Sequence, residues 1–342
     1  ADDAAFDALA LQLFAYQFAR NAPFRKFAQA RGKTPRTVRR WQDIPAVPIN
    51  AFKSLDLTCA PPEAAAAVFM TSGTTQGGLR GKSFHPTLEV YDASMRRNFA
   101  SRFMRGSDSI AMGVLFPSPA AMPNSSLAHY LELARRDFGA PESAHLVSDA
   151  GIDFERLIGD LRRAEATGQP YALLGASFSL VRVLDELARR GDRFNLPPGS
   201  RLLDTGGFKG QSRELELDEF YDALSQTFGV DRNDCVNMYG MTELSTQFYD
   251  DGNAVCPSVK SGPHWIRTRV VDPLTGAAPP KGATGVLAHT DLAHFNIVTT
   301  ILTEDAGVEV DGGFLLLGRV GGADAQGCSM AVDAFLTAAS AG

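Results

Sequence analysis

Apolar positions recur along the chain with two different spacings, and the alternation between them outlines an architecture. Over residues 1–40, Phe6, Leu9, Leu13, Phe14 and Phe18 give a stripe at helical spacing. Ile44-Pro45-Ala46-Val47-Pro48 then breaks regular structure. The short apolar run at 64–69 reads as a buried strand, and 110–116, 172–174, 201–203 and 236–239 are further strand candidates. Residues 126–138, 154–166, 178–190 and 212–228 read as helices, and so does the stripe Leu88, Tyr91, Met95, Phe99 and Phe103. Such alternation predicts an α/β fold with a largely parallel sheet. From about residue 255 the texture changes to Gly/Pro turns between β-prone runs at 266–271, 285–289, 297–302 and 314–317. The pattern therefore predicts a helical N-terminal segment over 1–60 packed on a core, an α/β core over 61–254, and a smaller β-rich lobe with a C-terminal tail over 255–342, all in one compact unit. The Phe6–Phe18 stripe reads as packing surface.

The candidate chemistry begins with Met70-Thr71-Ser72-Gly73-Thr74-Thr75-Gln76-Gly77-Gly78. This run sits between the strand at 64–69 and the helix expected from Leu88 onward. Glycines let a backbone turn its N–H groups toward an anion, and Ser and Thr hydroxyls add uncharged donors. A strand, a hydroxyl-rich loop and a helix together suggest nucleotide phosphates. Gly81-Lys82-Ser83 ends like a Walker A loop, but that motif needs a glycine where Gln76 stands, and Pro86 disfavours the immediate helix.

Three further segments point the same way. In Leu203-Asp204-Thr205-Gly206-Gly207-Phe208-Lys209-Gly210, paired glycines after a strand would let a flat ring approach the backbone, with Phe208 over one face. Asn237-Met238-Tyr239-Gly240-Met241-Thr242-Glu243 sets an aromatic ring, a hydroxyl and a carboxylate at a strand end, where α/β sheets bind ligands. Thr303-Glu304-Asp305 and Leu317-Gly318-Arg319 add carboxylates and a guanidinium in the β-rich part. By contrast, Gly175-Ala176-Ser177-Phe178-Ser179 lacks the closing glycine of a nucleophile elbow, and no H-E-x-x-H occurs.

Composition narrows the classes. Hydrophobic residues make up 44% and charged residues 21%, as in soluble globular proteins. A net charge of −6 without a Lys/Arg run argues against nucleic acid as a partner. No apolar stretch approaches the ~20 residues that span a membrane. The first residues are acidic, with no basic segment leading into an apolar run, so no secretory signal is expected. Cys59, Cys235, Cys256 and Cys328 form no C-x-x-C pair, which argues against a disulfide framework or zinc ribbon and fits a reducing cytoplasm.

Thr71-Ser72-Gly73-Thr74-Thr75, Tyr239-Gly240-Met241-Thr242-Glu243, Thr303-Glu304-Asp305 and Gly318-Arg319 occur in the order found in adenylate-forming enzymes, which activate a carboxylate with ATP as an acyl-adenylate. More closely, the chain resembles the LuxE-like acyl-protein synthetases, the ligase component of luciferase-linked fatty-acid reductases. Ile44 to Pro48 with Phe52-Lys53, Pro117-Ser118-Pro119, Asn124-Ser125-Ser126-Leu127, Thr205 to Gly210 and Gly327-Cys328-Ser329 carry that closer match. The fold it implies is an adenylate-forming large-domain core with a mostly parallel sheet and a smaller β-rich C-terminal lobe. The extra C-terminal domain usual in the superfamily would be absent, since few residues follow Arg319.

The resemblance also implies roles. Thr71, Ser72, Gly73, Thr74 and Thr75 would hold the β- and γ-phosphates of ATP. Gly206, Gly207 and Phe208 would flank adenine, Tyr239 would stack on it, and Gly240 and Met241 would complete that nucleotide-binding run. Thr242 would reach the α-phosphate, and Glu243 would hold Mg²⁺, a hard cation suited to carboxylate and phosphate oxygens. Asp305 would accept the ribose hydroxyls, with Arg319 nearby. The lysine of the extra domain has no counterpart in this reading, and the usual loop continuation is replaced by Gln76-Gly77-Gly78-Leu79-Arg80. Arg80, Lys82 or Lys209 would supply positive charge instead.

Cys328, on a flexible glycine-flanked tail, would accept the acyl group as a thioester and pass it to a partner reductase. The acid would be fatty or related. His85 and His129 read as structural or substrate-lining. An acyl-CoA or acyl-carrier-protein ligase resembling phenylacetate–CoA ligase stays open beside this, as does a catalytically silent nucleotide-binding module. A homo- or hetero-oligomer is compatible with either enzyme reading.

Overall fold

Asn21 divides the N-terminal stripe in two. In the computed structural model, which describes residues 3–72, 79–206 and 212–340, the stripe forms α1 (Asp3–Arg20) and α2 (Ala22–Ala30). The Asn21 side chain accepts the Phe24 N–H, and Pro23 falls in the first turn, where a missing N–H leaves no bond unmade. Phe6, Phe14, Phe24 and Phe27 are buried. Beyond these helices come β1 (Val47–Pro48), α3 (Ala51–Ser54), β2 (Ala67–Met70) and β3 (Lys82–His85).

The helix expected from Leu88 onward forms over Glu89–Phe99, but between it and the hydroxyl-rich loop the chain first returns as β3, a strand that the sequence pattern does not mark. It runs antiparallel to β2, with Phe69 opposite Ser83 and Met70 opposite Lys82. β2 and β3 therefore pair as the two arms that flank residues 73–78. Thr71 N–H donates to Gly81 O (3.0 Å), and Gly81 N–H donates to Thr71 Oγ1 (2.9 Å), which carries the ladder to the loop's base. A four-residue strand is too short for periodicity to reveal.

α4 (Glu89–Phe99) comes next and ends in a π-helical turn, Ala100–Met104, closed by Arg105 at φ 50°. The last carbonyls of that turn, on Phe103 and Met104, accept from the buried Arg201 guanidinium, which also donates to Ser107 Oγ. The chain then builds β4 (Ala111–Leu115), α5 (Ser126–Phe138), β5 (Ala144–His145) and a small hairpin of β6 (Val147–Ser148) and β7 (Gly151–Ile152). Next are α6 (Phe154–Thr167), β8 (Tyr171–Ala176), α7 (Ser177–Arg190) and β9 (Arg201–Thr205). They are followed by α8 (Leu217–Phe228), β10 (Cys235–Tyr239), β11 (Phe248–Tyr249) and β12 (Val259–Lys260). The strand order is β11-β10-β9-β8-β4-β5, parallel throughout except for β11. Every residue of β8 and β9 is buried, as expected of parallel strands covered on both faces. Leu157, Leu161, Leu180, Leu187, Phe220 and Phe228 pack over them from the helices.

The last elements are β13 (Ile266–Val271), β14 (Gly285–Asp291), β15 (Thr300–Val310), β16 (Gly313–Arg319) and α9 (Gly322–Ser340). These strands form an antiparallel sheet, and β1 joins β15 in parallel with Val47 opposite Ile301. The expected flexible tail is the helix α9. Phe335 stacks on Phe27 of α2 at 4.5 Å, and Cys328 and Ala331 pack on Val271, Val286, Ala288 and Leu302. Gly327 is there for closeness: a Cβ on it would lie 2.7 Å from the Pro273 ring.

Contacts group residues 1–94, 241–246 and 261–342 into one unit, and 95–240 with 247–260 into a second. Texture along the chain marks boundaries near 60 and 254. Strand pairing cuts differently, because β1 on β15 ties the N-terminal segment to the β-rich strands.

Candidate nucleotide site

In the first unit, the predicted carboxylates Glu243 and Asp305 lie within electrostatic reach of Arg319. Leu244 N–H donates to Met241 O (3.2 Å), so Thr242 and Glu243 occupy the middle of a turn. Glu243 is buried. Its carboxylate lies beside Gly81, where a Cβ would come within 3.4 Å of Oε1 and 3.2 Å of Thr71 Cγ2. A glycine at that point keeps the base of the hydroxyl-rich loop open against the acid. Burial pushes the Glu243 carboxyl up to about 7, against the opposing pull of its own backbone N–H, Arg319 and Lys53; Asp305 adds to the rise. A buried carboxylate in this condition favours a neighbouring cation.

Asp305 and Arg319 face each other across β15 and β16, with Arg319 Nε 3.4 Å from Asp305 Oδ1. The same guanidinium reaches Glu304 Oε2 at 3.3 Å, and Asn50 donates to the other Glu304 oxygen. Thr71 and Ser72 lie at the loop's base. Gly73, Thr74 and Thr75 fall outside the described residues.

The cation candidates separate. Arg80 is exposed on the loop's return. Lys82 lies 3.7 Å from Asp56, and both side chains are largely exposed. Lys209 is outside the described residues. Lys53, given no role by the sequence patterns, is the lysine whose charge acts on Glu243. It follows Phe52 on α3, directly after β1, and only the pairing of β1 with β15 reveals its neighbourhood.

Cys328 sits in the same unit, buried in α9, with its thiol donating to Thr303 O at 3.8 Å. Burial, with the carboxylates of Glu304, Asp324 and Asp305, pushes that thiol up to about 11. As placed, it is a protonated thiol in an apolar seam. His85 is buried with its ring 5.1 Å from Phe69 and 5.8 Å from His294. His129 lies half-buried on α5.

The second unit holds the residues expected around adenine. Asp204, at the end of β9, is buried and accepts from Ser177 Oγ (2.7 Å), Asn237 Nδ2 (2.8 Å) and Tyr221 Oη (3.1 Å), which pins β9 to β10. Burial raises its carboxyl, while those donors oppose the rise. Just beyond, Gly206 has φ 26°, and a Cβ there would meet nothing within 4 Å. Tyr239 ends β10 opposite Phe248, with ring centroids 5.9 Å apart, and Gly240 after it is exposed. Gly207 and Phe208 are outside the described residues.

Among the described residues, no three His, Cys, Asp or Glu side chains come together as a metal site, and no helix is long and apolar enough to cross a membrane.

No family model matches the chain. It is 23% identical over 298 residues to the long-chain-fatty-acid–luciferin-component ligase of Vibrio harveyi, across 86% of this chain and 76% of that protein. Among solved structures, 2-hydroxyisobutyryl-CoA ligase in complex with 2-HIB-AMP and CoA superposes with a TM-score of 0.66 at 14% identity, covering 93% of this chain and 74% of that one. ATP-bound MatB from Rhodopseudomonas palustris gives 0.53 at 16% identity, covering 76% of this chain and 49% of that one. The fold is that of the adenylate-forming ligases, an α/β core with a smaller β-rich lobe. The resemblance to LuxE-like ligases carried by the motifs is borne out by the Vibrio harveyi relative.

Proposed function

We propose that this chain is an ATP-dependent ligase that activates a carboxylic acid, fatty or related, as an acyl-adenylate, and then loads the acyl group on Cys328 as a thioester for a partner reductase in the cytoplasm. The observation that carries the reading is the buried Glu243 beside the close-packed Gly81 at the base of the hydroxyl-rich loop, in one unit with the Asp305–Arg319 pair. In the first step, a substrate carboxylate oxygen attacks the α-phosphorus of ATP and pyrophosphate leaves. Thr71 to Thr75 hold the β- and γ-phosphates, Thr242 the α-phosphate, and Asp305 the ribose hydroxyls. Gly206, Gly207 and Phe208 flank adenine, Tyr239 stacks on it, and Gly240 and Met241 complete the nucleotide-binding run.

One protein carboxylate completed by phosphate oxygens is an ordinary Mg²⁺ arrangement, and Glu243, whose charged form is disfavoured by burial, is suited to it. When bound, Mg²⁺ supplies charge neutralisation for the departing pyrophosphate. Lys53 and Arg80 bring further positive charge, with Lys209 as a third source.

In the second step, the Cys328 sulfur attacks the acyl carbon, AMP leaves with the bonding pair, and the thiol proton passes to solvent or to the leaving phosphate. Incubation with ATP, Mg²⁺ and hexadecanoate, followed by intact-mass measurement, tests both steps. A hexadecanoyl adduct lost in Cys328→Ala supports the reading. An adduct that survives the substitution, or no adduct with any acid tried, overturns the self-acylation step, and a lack of pyrophosphate release with every acid tried overturns the whole reading.

A second reading rests on the burial of Cys328. A thiol raised to about 11 is a poor nucleophile, which favours transfer to a free thiol such as coenzyme A or a carrier protein. Acyl-CoA formation by Cys328→Ala at the wild-type rate selects this alternative.

A further inference from the structure

The segment that carries Glu243 has neither strand nor helix to hold it. Residues 241–244 close one turn, and side chains fix Ser245 and Thr246 just beyond it. Ser245 N–H donates to Asp291 Oδ2 at 2.9 Å, and the Thr246 hydroxyl donates to Asp291 Oδ1 at 2.8 Å. Ala293 N–H donates to the same Oδ1 at 3.0 Å, so the acceptor is itself aimed by its own loop. Ser245 Oγ pairs with His294 Nδ1 at 2.8 Å, and His294 Nε2 lies 3.4 Å from Ser83 Oγ on β3. Two bonds lie further out: Ser94 Oγ pairs with Thr246 Oγ1 at 2.9 Å, and Trp265 Nε1 donates to Ser94 Oγ at 2.8 Å. Asp291, Thr246, Ser245, Ser83 and His294 are all buried.

We infer that Asp291, the last residue of β14, and His294, just beyond it, are positioning residues for Glu243: they fix the Ser245-Thr246 backbone against the β2–β3 hairpin and thereby set the Glu243 carboxylate beside Gly81. Burying a carboxylate costs several kcal/mol unless donors replace its water, so a position that only fills space has no use for one. Asp291 is kept as an acceptor by three donors, two of them from the residues just after Glu243. His294 completes the tie, because its two ring nitrogens meet a hydroxyl on the Glu243 segment and a hydroxyl on the strand that returns from the phosphate loop. Burial holds the His294 ring neutral, and His85 beside it adds to that. A neutral ring can take either tautomer and satisfy both hydroxyls.

The inference rests on the proposed Mg²⁺ role of Glu243, and its test separates the two. ATP binding by the full chain is measured calorimetrically across a MgCl₂ series, with Glu243→Gln as the reference for a lost ligand. Asp291→Ala is expected to raise the Mg²⁺ midpoint about tenfold, the usual loss when a residue orienting a metal ligand is removed. Asp291→Asn, which keeps one oxygen acceptor, is expected to shift it less. Thr246→Val and His294→Gln each remove one bond, are milder for folding, and are expected to shift it in the same direction. A purely structural role lowers the melting temperature or the binding-competent fraction and leaves the midpoint in place. Midpoints of Asp291→Asn, Thr246→Val and His294→Gln equal to that of the wild type overturn this inference alone. Wild-type protein that binds ATP equally with and without Mg²⁺ overturns the functional reading, and this inference with it.

Discussion

Asp305 and Arg319 are cross-strand partners on neighbouring antiparallel strands, yet their exposures differ sharply: the carboxylate side chain is 12% accessible and the guanidinium 67%. A pair with one partner so exposed contributes little to stability, about 0–1 kcal/mol. Arg319→Ala is therefore expected to leave the denaturation midpoint almost unchanged. Asp305→Asn, which removes a charged acceptor proposed for the ribose, is expected to raise the KM for ATP about ten- to a hundredfold, from the ~1.5–3 kcal/mol of a hydrogen bond to a charged group. Steady-state pyrophosphate release and urea melts on both variants check the two statements together.

Glu243 makes the ligand-free protein pH-sensitive in a defined direction. Its carboxyl is raised from 4.5 to about 7 in the folded state, so the folded chain binds more protons than the unfolded chain between those values. Stability is thus highest below about 4.5 on this account and falls as pH rises toward 7. Asp291, pushed up to about 6 by burial, adds a change of the same sign. Urea midpoints of wild type minus Glu243→Gln, from pH 5 to 8, are expected to decline with pH. A flat difference counts against the burial of the charge.

Lys53 is expected to matter more to the first step than Arg80, since its charge acts on the buried Glu243 while Arg80 is exposed. Removing one preorganised charge from a developing transition state costs about 10²–10³ in kcat. Lys53→Met is expected to fall in that range for acid-dependent pyrophosphate release, and Arg80→Ala to fall short of it. The reverse order assigns the charge to the loop.

Cys328 is expected to react slowly with iodoacetamide in the resting protein, because it is 3% accessible and its thiol is raised to about 11. Phe335→Ala removes a fully buried ring stacked on Phe27, a change worth ~3–5 kcal/mol in a packed core. It is expected to accelerate Cys328 alkylation without altering alkylation of Cys235, which is buried in the other unit. Peptide mass mapping over a time course reads both cysteines at once.

Much of the α/β part is legible in the sequence because its signals are local. Residues 126–138 and 266–271 form a helix and a strand with the bounds that periodicity predicts. The elements without such a signal are short or non-local. Lys82–His85 is too brief to show alternation, so the strand between the hydroxyl-rich loop and the helix after it leaves no mark in the pattern. Small residues around Cys328 suggest freedom, whereas Gly327 is small because Pro273 lies against it. Motif order picks out Glu243, Asp305 and Arg319, which share one unit. Lys53, Asp291 and His294 carry no such mark: Ser245 and Asp291 are 46 residues apart in sequence and meet only in the folded chain.

The seam under α9 has room for a bare sulfur, and its Gly327 cannot gain even one carbon without pressing on Pro273. A thioester carrying a long hydrocarbon chain has no place there. On the proposed acyl-thioester reading, a loaded Cys328 would be barred from its resting berth, and the empty and charged proteins would present different outlines to a partner.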